Sequence, residues 1–328
     1  MTGVVPPFDQ TVPPGGYAWW YVDALDHEGR FGLALIGFVG SVFSPYYAWA
    51  RRRGTADPLD HCSLNIGLYP PGGHLWTMTE RGRASVARSA TRLAIGPSAM
   101  SWDGDSLRID IDELTVPLPR RVRGTIRLHP LVTVARDFAL EPTGRHRWRP
   151  YMPLADVEVD LASPAQRWRG TGYCDFNAGA EPLEDAFVDW QWTRTHLPGK
   201  RTAVSYNARP RGAAATSLNL RMDRDSTFVS DAPRPRVALP RTAWGLERHA
   251  TVDPDTEACV VRPMENGPFY ARSLLGATID GSAVLAVHET LSLDRFAAGI
   301  VQAMLPFRMP RNTGLPPRAL PTAASRAP

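Results

Sequence analysis

The chain has 328 residues, a formal net charge of +4 and three cysteines, Cys62, Cys174 and Cys259. That length is enough for one large domain or two ordinary ones, while an odd number of scattered cysteines argues against a disulfide framework and fits a reducing compartment. Nearly all the cations are dispersed arginines and Lys200 is the only lysine, which disfavours a Schiff-base mechanism elsewhere and offers no nucleic-acid module.

Residues 1–15 are proline-rich and read as an extended segment. The opening Met-Thr-Gly-Val-Val-Pro-Pro has no basic stretch before an apolar core, so no signal peptide is expected. Strand signals then follow quickly: Tyr17–Asp26, Phe31–Val39, Ser63–Tyr69, Leu75–Thr79, Thr91–Ile95, Ala99–Trp102, Ser106–Ile111, Val122–Leu128 and Ala155–Leu161. Turn signals such as Pro70-Pro-Gly-Gly73 and Asp103-Gly-Asp105 punctuate them. A second series runs from Phe187–Trp192 through Arg201–Asn207, Ala215–Met222, Ser226–Val229, Cys259–Pro263, Tyr270–Ile279 and Ser282–Leu293. Only Leu293–Met304 has helical spacing. The expectation is an all-β chain with two antiparallel domains, 16–185 and 186–310, a short C-terminal helix and a disordered tail over 311–328.

From Phe31 to Ala50 there is no charge, so by length the stretch could span a bilayer. Gly37, Gly40, Ser41, Ser44 and Pro45 interrupt it, and it reads instead as a buried strand, Phe31–Val39, and an aromatic loop, Val42–Trp49. Phe43, Tyr46, Tyr47 and Trp49, followed by three arginines, have the composition of a membrane interface; the alternative is an ordinary packed loop. Glu80-Arg-Gly-Arg83 reads as an exposed turn, and Glu181, Glu184 and Asp185 as solvated, with Glu184 near enough in sequence to pair with His146. Trp190 and Trp192 alternate on a strand as core residues would. Trp19-Trp20-Tyr21 must present rings to both faces of its strand, which fits a ligand channel or a domain interface.

Two segments carry the chemistry. In Arg169-Gly-Thr-Gly-Tyr-Cys-Asp-Phe-Asn-Ala-Gly179 the strand period places Tyr173, Asp175 and Asn177 on one face and Cys174 and Phe176 on the other. In Arg145-His-Arg-Trp-Arg149 it puts His146 and Trp148 together, away from the arginines. Two such strands can bring an acid, a phenol, an imidazole and an indole to one place. The plainer reading makes Asp175 a turn former and the rings ordinary core. No zinc-protease, paired-cysteine, phosphate-loop, dinucleotide or serine-elbow motif is present, and the eight histidines show no ligand spacing. The expectation is no metal and no cofactor.

At these residues the chain resembles a known family. Gly16-Tyr-Ala-Trp-Trp-Tyr-Val-Asp23, the long string from Phe38 to Arg51, Ile95-Gly-Pro-Ser98, His146-Arg-Trp148, Gly172-Tyr-Cys-Asp-Phe-Asn177 and Asp189-Trp-Gln-Trp192 are similar to segments of the carotenoid 1,2-hydratases, also called hydroxyneurosporene synthases, of photosynthetic bacteria. The similarity extends from about Pro14 to Pro306. Cys174 and Phe176 depart from the pattern on the face away from the site, and the N-terminus looks short. The resemblance implies two lipocalin-like β-barrels and cofactor-free addition of water to the terminal double bond of acyclic carotenoids such as neurosporene and lycopene. It implies catalytic roles for His146, Trp148, Tyr173 and Asp175. Trp19, Trp20, Trp190 and Trp192 are the expected substrate wall. Phe43, Tyr46, Tyr47 and Trp49 are the expected contact of a cytoplasmic protein with the inner or intracytoplasmic membrane, beside other carotenoid-pathway enzymes.

Protonating C2 of a terminal isopropylidene leaves a tertiary cation at C1, which water captures. Asp175 is the expected acid: an ordinary Asp has a pKa of about 4, and burial can raise it by about 3–5 units. Trp148 would face the cation and His146 or Tyr173 would handle the water. A non-catalytic carrier or a cofactor-free isomerase on the same scaffold would use similar aromatic walls; a carrier has no need of the buried carboxyl.

Overall fold

The computed structural model describes residues 6–54, 56–225, 227–230, 234–312, 314 and 316–318. Alternating apolar runs fold as antiparallel strands that give each pleat face a separate interior. The strands between residues 17 and 179 form one sheet: β1 (Tyr17–Asp26), β2 (Gly32–Val39), β3 (Cys62–Tyr69), β4 (Leu75–Thr77), β5 (Glu80–Arg81), β6 (Val86–Ser89), β7 (Arg92–Ile95), β8 (Ser98–Trp102), β9 (Leu107–Leu114), β10 (Arg121–Val132), β11 (Phe138–Ala139), β12 (His146–Ser163) and β13 (Ala165–Gly179). Their order is β4-β3-β2-β1-β13-β12-β10-β9-β8-β7-β6, with β5 on β3 and β11 on β12. The long-range pairing of β1 with β13 joins the first strand of this segment to its last, in the middle of the sheet. The sheet curls: at Gly37 on β2 a Cβ would lie 2.9 Å from Met100 Sδ and 3.3 Å from Leu93, on strands far along the order. Trp20, Val22, Leu33, Leu35, Ile109 and Phe176 belong to the core inside the curl.

A second sheet, β17-β16-β15-β14-β22-β21-β20, holds β14 (Phe187–Leu197), β15 (Arg201–Pro210), β16 (Thr216–Met222), β17 (Thr227–Ser230), β20 (Ala258–Asn266), β21 (Tyr270–Ile279) and β22 (Ser282–Ser292). The hairpin β18 (Arg236–Leu239) and β19 (Arg248–Thr251) pairs apart from it, and Leu239 and Ala250 share a small core with Leu275 and Ala286. The opposite face of this sheet packs on the outside of β1 and β13 through a layer rich in aromatic rings. The architecture is thus mostly β with a curled first sheet and a second sheet laid against its back.

Several sequence expectations change. The Val42–Trp49 loop is mostly helix: Ser44 caps α1 (Pro45–Arg52), accepting from the backbone N–H groups of Tyr46 and Tyr47, with Pro45 at the first helical position. The C-terminal helix is two, α3 (Leu293–Ala297) and α4 (Gly299–Met304), broken where Ala298 is extended, after the single turn α2 (Leu183–Ala186) earlier in the chain. Glu80 and Arg81 are not an exposed turn but buried, paired with His61 and Glu113. Arg311 and Arg318 of the expected tail are fastened: Arg311 pairs with Glu80, and Arg318 N–H donates to Gly96 O at 2.6 Å. Residues 319–328 and 1–5 lie outside the described residues. Among the described residues no helix is long and apolar enough to cross a membrane, and no metal-holding group of His, Cys, Asp or Glu occurs.

Candidate active site

Strand β13 divides its side chains as its period demands. Cys174 and Phe176 enter the curled core, while Tyr173 joins the layer between the sheets. On β12 the alternation breaks: the pairing with β13 shifts between Arg149 and Met152 and again before Ala155. Pro150 and Pro153 have no N–H for the ladder, so the strand bulges there. The shift leaves His146 and Trp148 facing the layer although Met152 and Val157 face the curled core.

Asp175 is 4% exposed and surrounded by donors. The Trp148 indole N–H donates to its Oδ2 at 2.8 Å, the Tyr173 hydroxyl to the same oxygen at 2.9 Å, and Asn177 Nδ2 to Oδ1 at 3.0 Å. Burial pushes its pKa up to about 8; the bonds from Trp148 and Tyr173 pull it down, and the charges of Glu289 and Asp23 push it further up. At pH 7 such a group is protonated in roughly nine molecules of ten. Trp148 turns its N–H edge to the acid, while its ring meets Tyr206 and Phe138.

His146 shares the face but not the acid. Its Nδ1 bonds the Tyr17 hydroxyl at 2.8 Å, its Nε2 lies 3.5 Å from Glu181, and burial lowers its pKa. Gly179 makes room for this pair: a Cβ there would lie 2.4 Å from the Tyr17 ring and 2.6 Å from His146 Nδ1. Glu184, expected near His146, instead pairs with Arg51 at 2.7 Å and is mostly buried.

The tryptophans divide. Trp19, Trp190 and Trp192 belong to the layer between the sheets, Trp192 packing on Tyr21 and Tyr173. Trp20 points into the curled core, against Phe8 and Phe176, and is removed from the substrate wall by the strand period. Beside the acid opens an apolar cavity of about 460 Å³. Trp19, Tyr21, Phe38, Trp190 and Phe269 line it, together with Trp244, Met304 and Phe307. Asp175 does not line it, but Tyr21 and Trp19, which do, pair in register with Asp175 and Asn177. Of the expected membrane contacts, Tyr47 is fully buried and donates to Gly16 O at 2.6 Å, Phe43 lines the cavity, Tyr46 is half-buried and only Trp49 is well exposed.

A polar row escaped the sequence reading. The Tyr21 hydroxyl lies 2.9 Å from Asp23 Oδ2 and 2.8 Å from Glu289 Oε1. Asp23 pairs with the buried Arg194, and Glu289 with the buried Arg272. Arg272 also donates to Tyr69, whose hydroxyl reaches Glu265 at 3.3 Å. The available signal was a charge in an otherwise apolar strand, Asp23 in Tyr17–Leu25; Glu289, between His288 and Thr290, gave none.

Fold and site together describe a two-sheet β protein that keeps a proton-bearing carboxyl beside an apolar cavity. The description Carotenoid hydratase CrtC matches this chain over residues 35–317. The acyclic carotenoid 1,2-hydratase of Thiocapsa roseopersicina is 51% identical over 94% of this chain and 76% of its own length; that of Rubrivivax gelatinosus is 46% identical over 93% and 76%. The chain belongs to the carotenoid hydratase family. In fold it is similar to kievitone hydratase from Nectria haematococca, with a TM-score of 0.54 at 10% identity, over 89% of this chain and 95% of that one.

Proposed function

We propose that this chain hydrates the terminal 1,2 double bond of an acyclic carotenoid, with Asp175 as the acid. The observation that carries the reading is a fully enclosed carboxyl, held by three donors and kept protonated by burial, next to an apolar cavity in a member of this family. Oδ2 takes two of the donors, so Oδ1, with one, is the oxygen that carries the acidic proton. The terminal alkene has to reach past the lining Tyr21 to the acid; there the proton passes to C2 and the tertiary cation forms at C1. Trp19, Trp190 and Tyr21 face the cavity and supply the aromatic faces that tolerate a cation, at about 2 kcal/mol for a desolvated contact. Trp148, Tyr173 and Asn177 position the acid, and His146 fixes Tyr17 and through it the neighbouring Trp19 ring, 4.8 Å away. No residue of this scheme calls for a metal or a cofactor. Incubation with lycopene in D₂O tests it: the expected product has gained one water and carries one non-exchangeable deuterium at C2. Unchanged mass would mean a carrier, and changed retention at unchanged mass an isomerase.

The substrate's apolarity favours delivery from a lipid surface. Ile300 and Phe307, each 76% exposed, and Trp244, 47% exposed, belong to the same region as the cavity lining of Trp244, Met304 and Phe307, and Arg308 beside them suits anionic headgroups. This face is a better docking surface than α1, where Tyr47 is buried. Ile300→Ser with Phe307→Ser should weaken sedimentation with anionic vesicles, and Tyr46→Ser should not; the opposite pattern would restore α1. The same reading takes the protein as cytoplasmic, peripherally associated with the inner or intracytoplasmic membrane, and treats 16–185 and 186–310 as two lipocalin-like domains, each with its own core.

A further inference from the structure

Glu289 lies on β22 between two neighbours, opposite Trp192 on β14 and Arg272 on β21. One of its oxygens is crowded. Oε1 accepts from Arg272 Nε at 2.9 Å and from Arg272 Nη2 at 2.7 Å, and lies 2.8 Å from the Tyr21 hydroxyl, whose one proton it shares with Asp23. Oε2 has no hydrogen-bond partner among the described residues, and the side chain keeps 13% exposure in the cavity wall. A purely structural Arg–carboxylate pair gains most by spreading two donors over two oxygens. Here both donors converge on one, and the other oxygen, on a side chain that lines the cavity, stays accessible. That arrangement suits a transient partner that brings its own proton.

We propose that Glu289 is the base of the hydration, the group whose Oε2 binds the attacking water and takes its proton. The inference rests on the reading of Asp175 as the acid. The balance is complete. Asp175 gives its proton to C2 and becomes a carboxylate; water oxygen bonds to C1; one water proton goes to Glu289, which becomes a carboxylic acid. The cycle closes when that proton returns to Asp175. Tyr21 bonds Glu289, Tyr173 bonds Asp175, and the two tyrosine rings meet edge to face at 6.2 Å without a hydrogen bond between their hydroxyls, so the return passes through water. Two carboxyls in one site, one without a cationic partner and kept neutral by burial, the other held against a guanidinium, is the division of labour expected of an acid and a base. His146, turned to Tyr17 and Glu181, is not placed for this step.

The test compares Glu289→Gln with Asp175→Asn in D₂O, with lycopene in detergent and far-ultraviolet spectra as the check on folding. Gln keeps an oxygen for Arg272 and Tyr21 but cannot take a proton. Glu289→Gln should lower hydration by about 10²-fold or more. It should still wash deuterium into recovered, unhydrated lycopene, because Asp175 protonates carbon and the cation, uncaptured, gives a proton back. Asp175→Asn should show neither hydration nor exchange. Near-normal hydration by Glu289→Gln overturns the assignment, and so does loss of exchange together with hydration in a folded Glu289→Gln protein, which would tie Glu289 to binding or to the first proton. Failure of the Asp175 reading looks different: hydration survives in Asp175→Asn. If Glu289→Gln does not fold, Glu289→Asp serves. A shortened base should retain exchange and lose about tenfold or more in hydration; full hydration would count against the proposal.

Discussion

The two faces of β1 and β13 lead into different interiors. On one side Trp20, Val22, Cys174 and Phe176 pack with aliphatic strands of the same sheet, a core that needs only volume and apolarity. On the other, one residue away in each case, Trp19, Tyr21, Tyr173 and Asp175 meet a second sheet among buried tyrosines, two buried arginines and three carboxyls. The first interior lowers the free energy of the fold. The second contains groups whose burial costs stability unless each is paired, and it is where the chemistry is read. A strand has a period of two, so one segment serves both without compromise.

Substitutions can break or sharpen that contrast. The largest effect is expected at Asp175. Asp175→Asn should lower turnover by about 10³-fold while the protein folds and binds carotenoid, as losing a general acid does at the upper part of its usual range; a folded variant with near-normal turnover would refute the role. Across the strand, Phe176→Ala should cost stability instead, about 3–5 kcal/mol in denaturant titration, with turnover per folded molecule kept below its melting transition. Equal damage to both properties at either position would show that the faces are coupled. A third effect follows pH. If Asp175 is the neutral acid, as proposed, kcat should hold near neutral pH and fall as pH rises through about 8. Its folded pKa lies above the unfolded value of about 4, so its contribution to stability is fully present below that value and is lost as pH rises through the folded one. Asp175→Asn should flatten that part of the stability profile; an unchanged slope would place the titration elsewhere. The smallest effect is expected at Cys174→Ala, about 1 kcal/mol or less in stability and nothing in kcat, because the side chain packs in the curled core and its polar contact is a long one, 3.9 Å to the Asp175 backbone oxygen.

Many strands were legible because a period of two or an apolar run ends at a glycine or proline turn: β1 and β21 fall at their expected residues. The face of Asp175 was legible for the same reason, and with it the company of Tyr173 and Trp148. What the period does not encode is the partner across the layer. Glu289 and Arg272 come from strands about a hundred residues beyond Tyr173, and local spacing cannot say that they converge on Tyr21. The exposed look of Glu80-Arg-Gly-Arg83 failed for a related reason: its charges are met by His61, Glu113 and Arg311, from three distant segments. Helix α1 was missed although its Ser44-Pro45 start is a capping signal, because the aromatic run after it has no clear helical stripe.

The cavity belongs to neither sheet alone. Each sheet has a core on its far side, so the space between them is a gap whose walls hold themselves up independently. A long apolar molecule lodged there works as a rivet, joining two bodies that otherwise touch through rings and ion pairs. Occupancy then becomes mechanical. At a hundredfold excess over Kd a ligand bound only by the folded chain adds about 2.7 kcal/mol, and heat resistance becomes a gauge of how much of the protein is loaded.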